Sequence, residues 1–561
     1  MADPKEELRL LDQIRTWPQY ARFAGRPVAY FCTEFAFSGG QRLYAGGLGV
    51  LAGDMVREAG DREFPLVAVG LYYREGYVCE TKEVGGRTME ICKATPPEQA
   101  GFEPVLDKGG ERLHVIVPIH DRVIKARAWT YKDRGARIYL LDTDCEENSP
   151  EDQRITDRLY VGDKETRLKQ EIVLGIGGLR LLEALDIHPS VYHLNEGHSA
   201  LLALELIWHE MRERHIGFDE AKQFARRRIV MTNHTLVAAG QEVFSYDLVA
   251  MMLDRYAEEL SVPVHDLVSL GRVQQSNEFS MSMLAFRMAS IINAVSKLHA
   301  KKAKEIWTDH PMVAVTNGVH VPFWDSIGDP GSEPGAGLGT AKGEFWKQHQ
   351  YRKDELLAHI KEKTGRDWSK DTLLIGWARR TVQYKRPLAI FEDAVRLGAI
   401  ARNADRPVRF VFSGHPHPND VDGAKLLVEL KRLTDGEFAD IAVYLPEYDI
   451  PLAKKMVAGC DMWLNTPVVG FEACGTSGMK AALNGVLPCT TRDGWVDEAD
   501  LRHLGWILNN DRTAHDFYHL LESEILPLYY GRSGGIPEVW EEYMRSSRDM
   551  ILRRFTATRM L

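Results

Sequence analysis

The segment Gly470-Phe471-Glu472-Ala473-Cys474-Gly475-Thr476-Ser477-Gly478-Met479-Lys480-Ala481-Ala482-Leu483-Asn484-Gly485 lies between two short apolar runs, Asp461–Thr466 and Val486–Thr491. Both runs have the length and composition of buried strands. The glycines between them predict a tight turn that opens a short helix, and a helix start presents unpaired backbone N–H groups suited to a phosphate. Thr476 and Ser477 add hydroxyl donors, and Lys480 falls about one helical turn inside the start. An amine beside a phosphate cradle fits two chemistries: a phosphate-bearing aldehyde cofactor held as a Schiff base, or a lysine that neutralises a substrate phosphate. A glycine-punctuated connection carrying a surface lysine is the plain structural alternative.

Upstream of this segment, strand-like runs at Leu373–Gly376, Val408–Ser413 and Ile441–Leu445 are each separated by a helical stretch. With the two runs above they predict a doubly wound domain with a parallel sheet. Helices over about Ala514–Tyr529 and Pro537–Arg554 close the chain. In the first half, Val28–Phe35, Pro65–Tyr73, Val191–Leu194 and Ile229–Thr235 read as strands, and Val50–Ala59, Lys164–Leu185 and Ser199–Arg212 as helices. Glycines at Gly39-Gly40 and Gly46-Gly47-Leu48-Gly49 precede the first of those helices. Residues from about 76 to 144 alternate in polarity, as in Leu113–His120 and Val123–Trp129, which predicts an antiparallel insertion. The Gly/Pro-rich loop Ile327–Gly339 after Asn317-Gly318 is the best boundary. The expected domains are therefore 1–320, carrying the insertion, and 321–561, with ligands held at the carboxyl ends of strands facing a cleft.

The chain has 561 residues, 44% of them hydrophobic, which suits two large cores. A net charge of −10 with no basic block argues against a nucleic-acid footprint. The 7 cysteines form no CxxC pair and no metal-ligand spacing, so a reducing cytoplasm is expected. The charged N-terminus reads as lacking a secretory signal, and no apolar run of membrane-spanning length occurs.

Arg379-Arg380-Thr381-Val382-Gln383-Tyr384-Lys385-Arg386 places four cations in eight residues after the strand Leu373–Gly376, with one group expected on the turn and one at the next helix start. Cations are unfavourable at a helix N-terminus unless an anion joins them. A solvated charge run is the alternative. Asn195-Glu196-Gly197-His198 and Thr232-Asn233-His234-Thr235 end strands with polar groups that could bind sugar hydroxyls or a metal, or serve as caps and core histidines. Neither has ligands on one helical face, so no metal is expected. Glu472 could accept hydrogen bonds from a substrate hydroxyl or be a surface carboxylate.

In order along the chain, Glu34-Phe35 with Ala45–Gly49, Leu194–His198, Thr232–Thr235, Asn293–His299, Thr316-Asn317-Gly318, Arg379–Arg386 and Glu472–Lys480 resemble the α-glucan phosphorylases, in particular their short bacterial and archaeal branch. The resemblance implies a GT-B fold of two Rossmann-like α/β domains, pyridoxal 5′-phosphate on Lys480, and reversible phosphorolysis of α-1,4-glucan ends to glucose 1-phosphate with retention. It implies that Gly47, Arg379, Lys385, Thr476 and Ser477 hold the cofactor phosphate or its neighbour, and that Trp324 and Tyr448 line the cofactor ring. Arg380 and Lys385 would hold the substrate phosphate. Leu48, His234, Asn317, Tyr384, Glu472, Ala473 and Gly475 match the pocket for the terminal glucose. Catalysis would rest on Lys480, Arg380, Lys385, His234 and Glu472, with the cofactor phosphate as proton shuttle. The implied partners are α-1,4-glucan, inorganic phosphate and glucose 1-phosphate, with no nucleic acid and no membrane; a homodimer is left open.

Departures from the family pattern are Arg379 for lysine, Cys474 for serine, Asp449 for the arginine of longer enzymes, and Val468-Val469-Gly470-Phe471 in place of an arginine pair. They bear on substrate preference more than on reaction type. The regulatory N-terminal segment of long phosphorylases has no counterpart, so no phosphorylation switch is expected. A nucleotide-sugar glucosyltransferase and a non-catalytic glucan-binding relative are the competing readings.

Overall fold

The computed structural model describes the chain except for residues 1–14, 17, 38–42, 78–79, 85–86, 92, 237–241, 275, 328–342, 418–419 and 534. The glycine pair Gly39-Gly40 and most of the loop Ile327–Gly339 lie outside the described residues. The chain divides into two compact units. One comprises the described residues of Leu8–Val295 with Ala303–Val315, the other Ser296–Lys302 with Thr316–Met560. No described helix is long and apolar enough to cross a membrane.

The first unit contains β1 (Val28–Phe31), β2 (Leu66–Leu71), an antiparallel pair β3 (Glu80–Val84) and β4 (Arg87–Ile91), then β5 (Glu103–Pro104), β6 (His114–Ile119), β7 (Arg122–Asp133) and β8 (Ala136–Asp142). It continues with β9 (Val191–Asn195), β10 (Ile229–Asn233), a second antiparallel pair β11 (Val243–Ser245) and β12 (Glu278–Ser280), β13 (Ile291–Ala294) and β14 (Val313–Ala314). Ten of these form one sheet in the order β14-β13-β10-β9-β1-β2-β8-β7-β5, with β6 also on β7. From β14 to β8 all neighbours are parallel. Parallel strands are covered on both faces, which is why β1 and β2 are almost unbroken apolar runs. Strand β8 pairs in parallel with β2 and antiparallel with β7, so the alternating stretch extends the main sheet at one edge.

The second unit is built on β15 (Leu373–Ala378), β16 (Val408–Ser413), β17 (Ala442–Leu445), β18 (Met462–Asn465), β19 (Leu487–Thr491) and β20 (Trp506–Leu508). All neighbours are parallel and the order is β17-β16-β15-β18-β19-β20, the 3-2-1-4-5-6 arrangement of a doubly wound nucleotide-binding sheet. The order reverses between β15 and β18, so the loops leaving these two strands diverge and open a crevice at their carboxyl ends.

At the opposite end of the same two strands lies a charged core. Lys353 Nζ is 2.5 Å from Asp461 Oδ2 and donates to Thr372 O and the Tyr529 hydroxyl, while His349 Nε2 lies 2.9 Å from Asp461 Oδ1. Leu374 N donates to the same carboxylate at 2.7 Å, so Asp461 ties β15 to the start of β18 and to the helix Glu344–Thr364. Burial alone would raise the Asp461 carboxyl, but Lys353 and His349 outweigh it and hold it below the usual carboxylate range.

Three local expectations are corrected. The helix expected over Val50–Ala59 begins at Gly47, so the glycines form its first turn. Gly49 has no room for a side chain: a Cβ there would stand 2.6 Å from Tyr44 Cβ and 2.8 Å from Glu34 Oε2. Lys385 and Arg386 do not open an α-helix; Gln383–Lys385 is a single 3-10 turn ended by Arg386 at φ 47°, and the next α-helix starts at Ala394. Strand β20 was not expected, because three residues carry too little periodicity to register.

Candidate active site

Around the crevice of the second unit, each loop brings its charge for a structural reason. The chain leaves β15 directly into Arg379, which is buried, and Arg380, which is exposed. After β18 it runs through Thr466 to Gly475, where φ of +86° requires glycine, into the helix Thr476–Leu483. Arg386 joins the two loops: its guanidinium donates to Thr466 O, Pro467 O and Asn510 O at 2.7 to 2.8 Å. This cation is fully occupied by the protein and is not an anion ligand.

The other cations converge on Glu472. Arg379 Nη2 is 3.1 Å and Lys385 Nζ 3.6 Å from Glu472 Oε2. Burial would raise the Glu472 carboxyl, but Arg379 and Lys385 prevail and lower it, so it is ionised. Lys385 is pushed down to about 7, by burial first and by Arg379 and Arg380 beyond that, with Glu472 opposing. The pair is unequal because one carboxylate serves several cations: Arg379 suffices to keep Glu472 charged, whereas Lys385 holds its proton loosely. Arg379 Nε and Nη1 are buried without a hydrogen-bond partner among the described residues. Buried guanidinium nitrogens left open cost free energy unless an acceptor arrives. The Tyr384 phenol is raised, chiefly by burial and then by Glu472, and stays a donor at neutral pH.

Lys480 is 5% exposed, so the terminal amine of an ordinarily solvated side chain is held inside. Its Nζ donates to Thr476 Oγ1 at 3.3 Å, one turn back, and stands 4.4 Å from the centroid of the Trp324 ring. Asn484 fixes both partners. Its Nδ2 donates to Trp324 O and to Lys480 O at 2.9 and 2.8 Å, and its Oδ1 accepts from Ser326 N at 2.8 Å. Ser477 Oγ accepts from Trp463 Nε1 at 3.4 Å. Tyr448 is half-buried beyond β17, its backbone N–H directed to His415 Nε2 at 3.4 Å.

Two family departures acquire reasons. Asp449 caps the helix Ile450–Gly459 through Leu452 N, a role that arginine could not fill. Cys474 is buried, which raises its thiol and keeps it neutral, and its carbonyl accepts from Trp495 N at 3.1 Å. Asn317 is buried, and Ala473 O accepts from Ser296 Oγ at 2.7 Å.

Asp493, which sequence patterns did not reveal, organises the approach to Glu472. Its Oδ2 accepts from Gly470 N and Glu472 N at 2.9 Å each and its Oδ1 from Gly494 N at 2.8 Å. Burial raises this carboxyl to about 6 despite those donors. Its only local signal is an Asp-Gly pair after a strand. Gly494 is required, since a Cβ there would lie 2.2 Å from Cys474 O.

In the first unit, Glu34 holds the glycine turn: its Oε2 accepts from Ala45 N and Gly46 N at 2.6 and 3.2 Å, and its Oε1 from the Tyr160 hydroxyl at 2.8 Å. Gly47 is exposed and Leu48 half-buried at the helix start that follows. At the ends of β9 and β10, Glu196 Oε1 accepts from His234 N at 2.5 Å, and His234 Nε2 lies 2.6 Å from Asn195 Oδ1. Glu196 is buried and raised to about 7. Its φ of 69° and ψ of −177° are strained for a residue with a side chain, as at many functional sites.

Among the described residues, Glu171, His198 and Glu242 also cluster, with ligand-type atoms within 4.8 Å of one another. Arg167 and Lys164 already pair with Glu242. Two cations against two carboxylates leave no net negative charge for a divalent ion. Burial and Glu242 push the Glu171 carboxyl up, toward its protonated form.

The chain belongs to the carbohydrate phosphorylase family, whose pattern residues 340–499 match. It is 37% identical to a maltodextrin phosphorylase of Thermococcus litoralis, across 95% of this chain and 69% of that one. It is 33% identical to a glycogen phosphorylase of Aquifex aeolicus, across 96% and 85% of the two chains, and 32% identical to one of Mycobacterium tuberculosis, across 95% and 69%.

Proposed function

We propose that the chain catalyses reversible phosphorolysis of terminal α-1,4-linked glucose in glycogen, starch or maltodextrin, giving α-glucose 1-phosphate with retention, with pyridoxal 5′-phosphate on Lys480. The observation that carries the reading is the pair of open, buried Arg379 nitrogens beside Lys385 and an ionised Glu472 at the strand-order reversal. The residues fit the cofactor: a buried amine faces an indole, and the neighbouring guanidinium lacks acceptors that a phosphate provides. Lys480 would hold the aldehyde carbon, Trp324 and Tyr448 the ring, and Arg379, Lys385, Thr476, Ser477 and Gly47 the phosphate. When bound, the cofactor supplies a phosphate monoester whose second ionisation lies near pH 6, within reach of proton exchange at neutrality.

The chain's own residues do the rest. Arg380 and Lys385 bind the substrate phosphate, and the positive field of Arg379, Arg380 and Lys385 offsets repulsion between phosphoryl groups. Glu472 accepts from sugar hydroxyls whose acidity rises as positive charge develops on the ring, so its bonds strengthen toward the transition state. Tyr384 donates its phenol proton to the same sugar. Leu48, His234, Asn317, Ala473 and Gly475 are assigned to the terminal glucose, with Asn195 holding the His234 ring by its Nε2. Incubation with maltodextrin and orthophosphate should release glucose 1-phosphate, and omission of phosphate should stop release. Glucose transfer from a nucleotide sugar without phosphate dependence would overturn the reading.

A proton count tests the role of Lys385. Its ammonium loses its proton at about 7, so above that pH the empty site is increasingly neutral there. A bound anion favours the charged form and raises that value, so phosphate binding at about pH 7.5 should take up a proton. Calorimetry in buffers of different ionisation heat measures this uptake. Lys385→Arg, charged throughout, should take up fewer protons than the unaltered protein, the ionisation of phosphate itself being common to both. Equal proton counts in the two proteins would remove Lys385 from the phosphate site.

A further inference from the structure

Phe471 is 49% exposed and Val469 38%, immediately before the largely enclosed side chain of Glu472. A single exposed apolar side chain needs no explanation, but here the backbone forces the exposure. Val468 N donates to Tyr384 O at 2.8 Å, Val469 N to Asn510 Oδ1 at 3.0 Å and Phe471 N to Val468 O at 3.2 Å. Gly470 N and Glu472 N, on either side of Phe471, both donate to Asp493 Oδ2. Gly470 has φ of +93°, which turns the chain at the residue before. With every N–H from 468 to 472 engaged, the Phe471 side chain is held outward. Its ring lies 6.1 Å from that of Tyr384 at an interplanar angle of 29°, a stacked pair with much of one ring still open.

We propose that Phe471, backed by Tyr384, is a stacking platform for a glucopyranose ring of the glucan and sets affinity for the chain. The proposal rests on the phosphorolysis reading for the identity of the glucan. A pyranose has a face of C–H bonds and a rim of hydroxyls. The electron-rich face of an aromatic ring attracts the former, and the adjoining ionised carboxylate of Glu472 and phenol of Tyr384 bind the latter. An exposed aromatic ring stacked on Tyr384 and one residue before Glu472 combines an apolar surface with nearby polar groups, the pattern of a small-ligand site.

Phe471→Ala and Phe471→Trp test this in the cofactor-loaded enzyme, with initial rates against maltoheptaose and against phosphate. Saturation-transfer NMR of maltoheptaose without phosphate reads binding apart from turnover. Alanine is expected to raise the KM for maltoheptaose about tenfold and to weaken saturation transfer, with the KM for phosphate unchanged, and tryptophan to restore both. Unchanged glucan KM and saturation transfer in the alanine variant would overturn the platform. So would a parallel rise in phosphate KM, which would mean that the loop had shifted. A wild-type protein that binds maltoheptaose through Phe471 but releases no glucose 1-phosphate would retain the platform and refute the reaction.

Discussion

Lys480→Ala protein is expected to purify without near-ultraviolet absorbance and to lose phosphate-dependent release of glucose 1-phosphate by at least about 10⁴-fold, as when one member of an interdependent catalytic set is removed. The fold should survive. Alanine is the best helix former, and position 480 lies inside the helix Thr476–Leu483. What disappears is the only group at this position able to bond covalently to an aldehyde. Lys480→Arg separates charge from chemistry: it keeps the cation over Trp324 but cannot form that bond, so it should be equally inactive. Absorbance after loading and phosphorolysis rate are the two measurements. Turnover retained by either variant would refute the mechanism.

The second large effect concerns stability. Lys353→Met is expected to destabilise the second unit by about 3–5 kcal/mol, because the wholly buried Asp461 would lose the ammonium that chiefly keeps it ionised and would be left either charged without that partner or forced to take up a proton. For a unit of this size that corresponds to a melting shift of roughly 10 °C. Adding Asp461→Leu should recover only part of the loss. The carboxylate also accepts from Leu374 N, which the double variant would leave without an acceptor inside the sheet. Thermal unfolding of the two variants decides this; a Lys353→Met protein as stable as the parent would mean that the pair contributes nothing.

Most of the second unit was legible in sequence because its strands are buried on both faces, giving short, largely apolar runs between helices, as Leu373–Ala378 shows. The Lys480 helix was legible through its glycine turn. Asp493 and Asn484 were not. Asp493 bonds residues 21 to 23 positions away and Asn484 one 160 positions away, and no local periodicity encodes such pairings. The cationic run was read correctly as four charges but not in their division of labour. Only coordinates separate Arg386, engaged by carbonyls, from Arg379, with nitrogens to spare. The expected helix start at Val50 missed because glycine's poor helix propensity is overridden where the backbone must pass close to Glu34 and Tyr44.

Arg386 acts as a rivet between the segments leaving β15 and β18. Fastened by one planar fork, those segments must travel as a single plate, so an incoming anion meets charges already posted instead of gathering them. The ordering entropy of that assembly is then met during folding and not at each turnover.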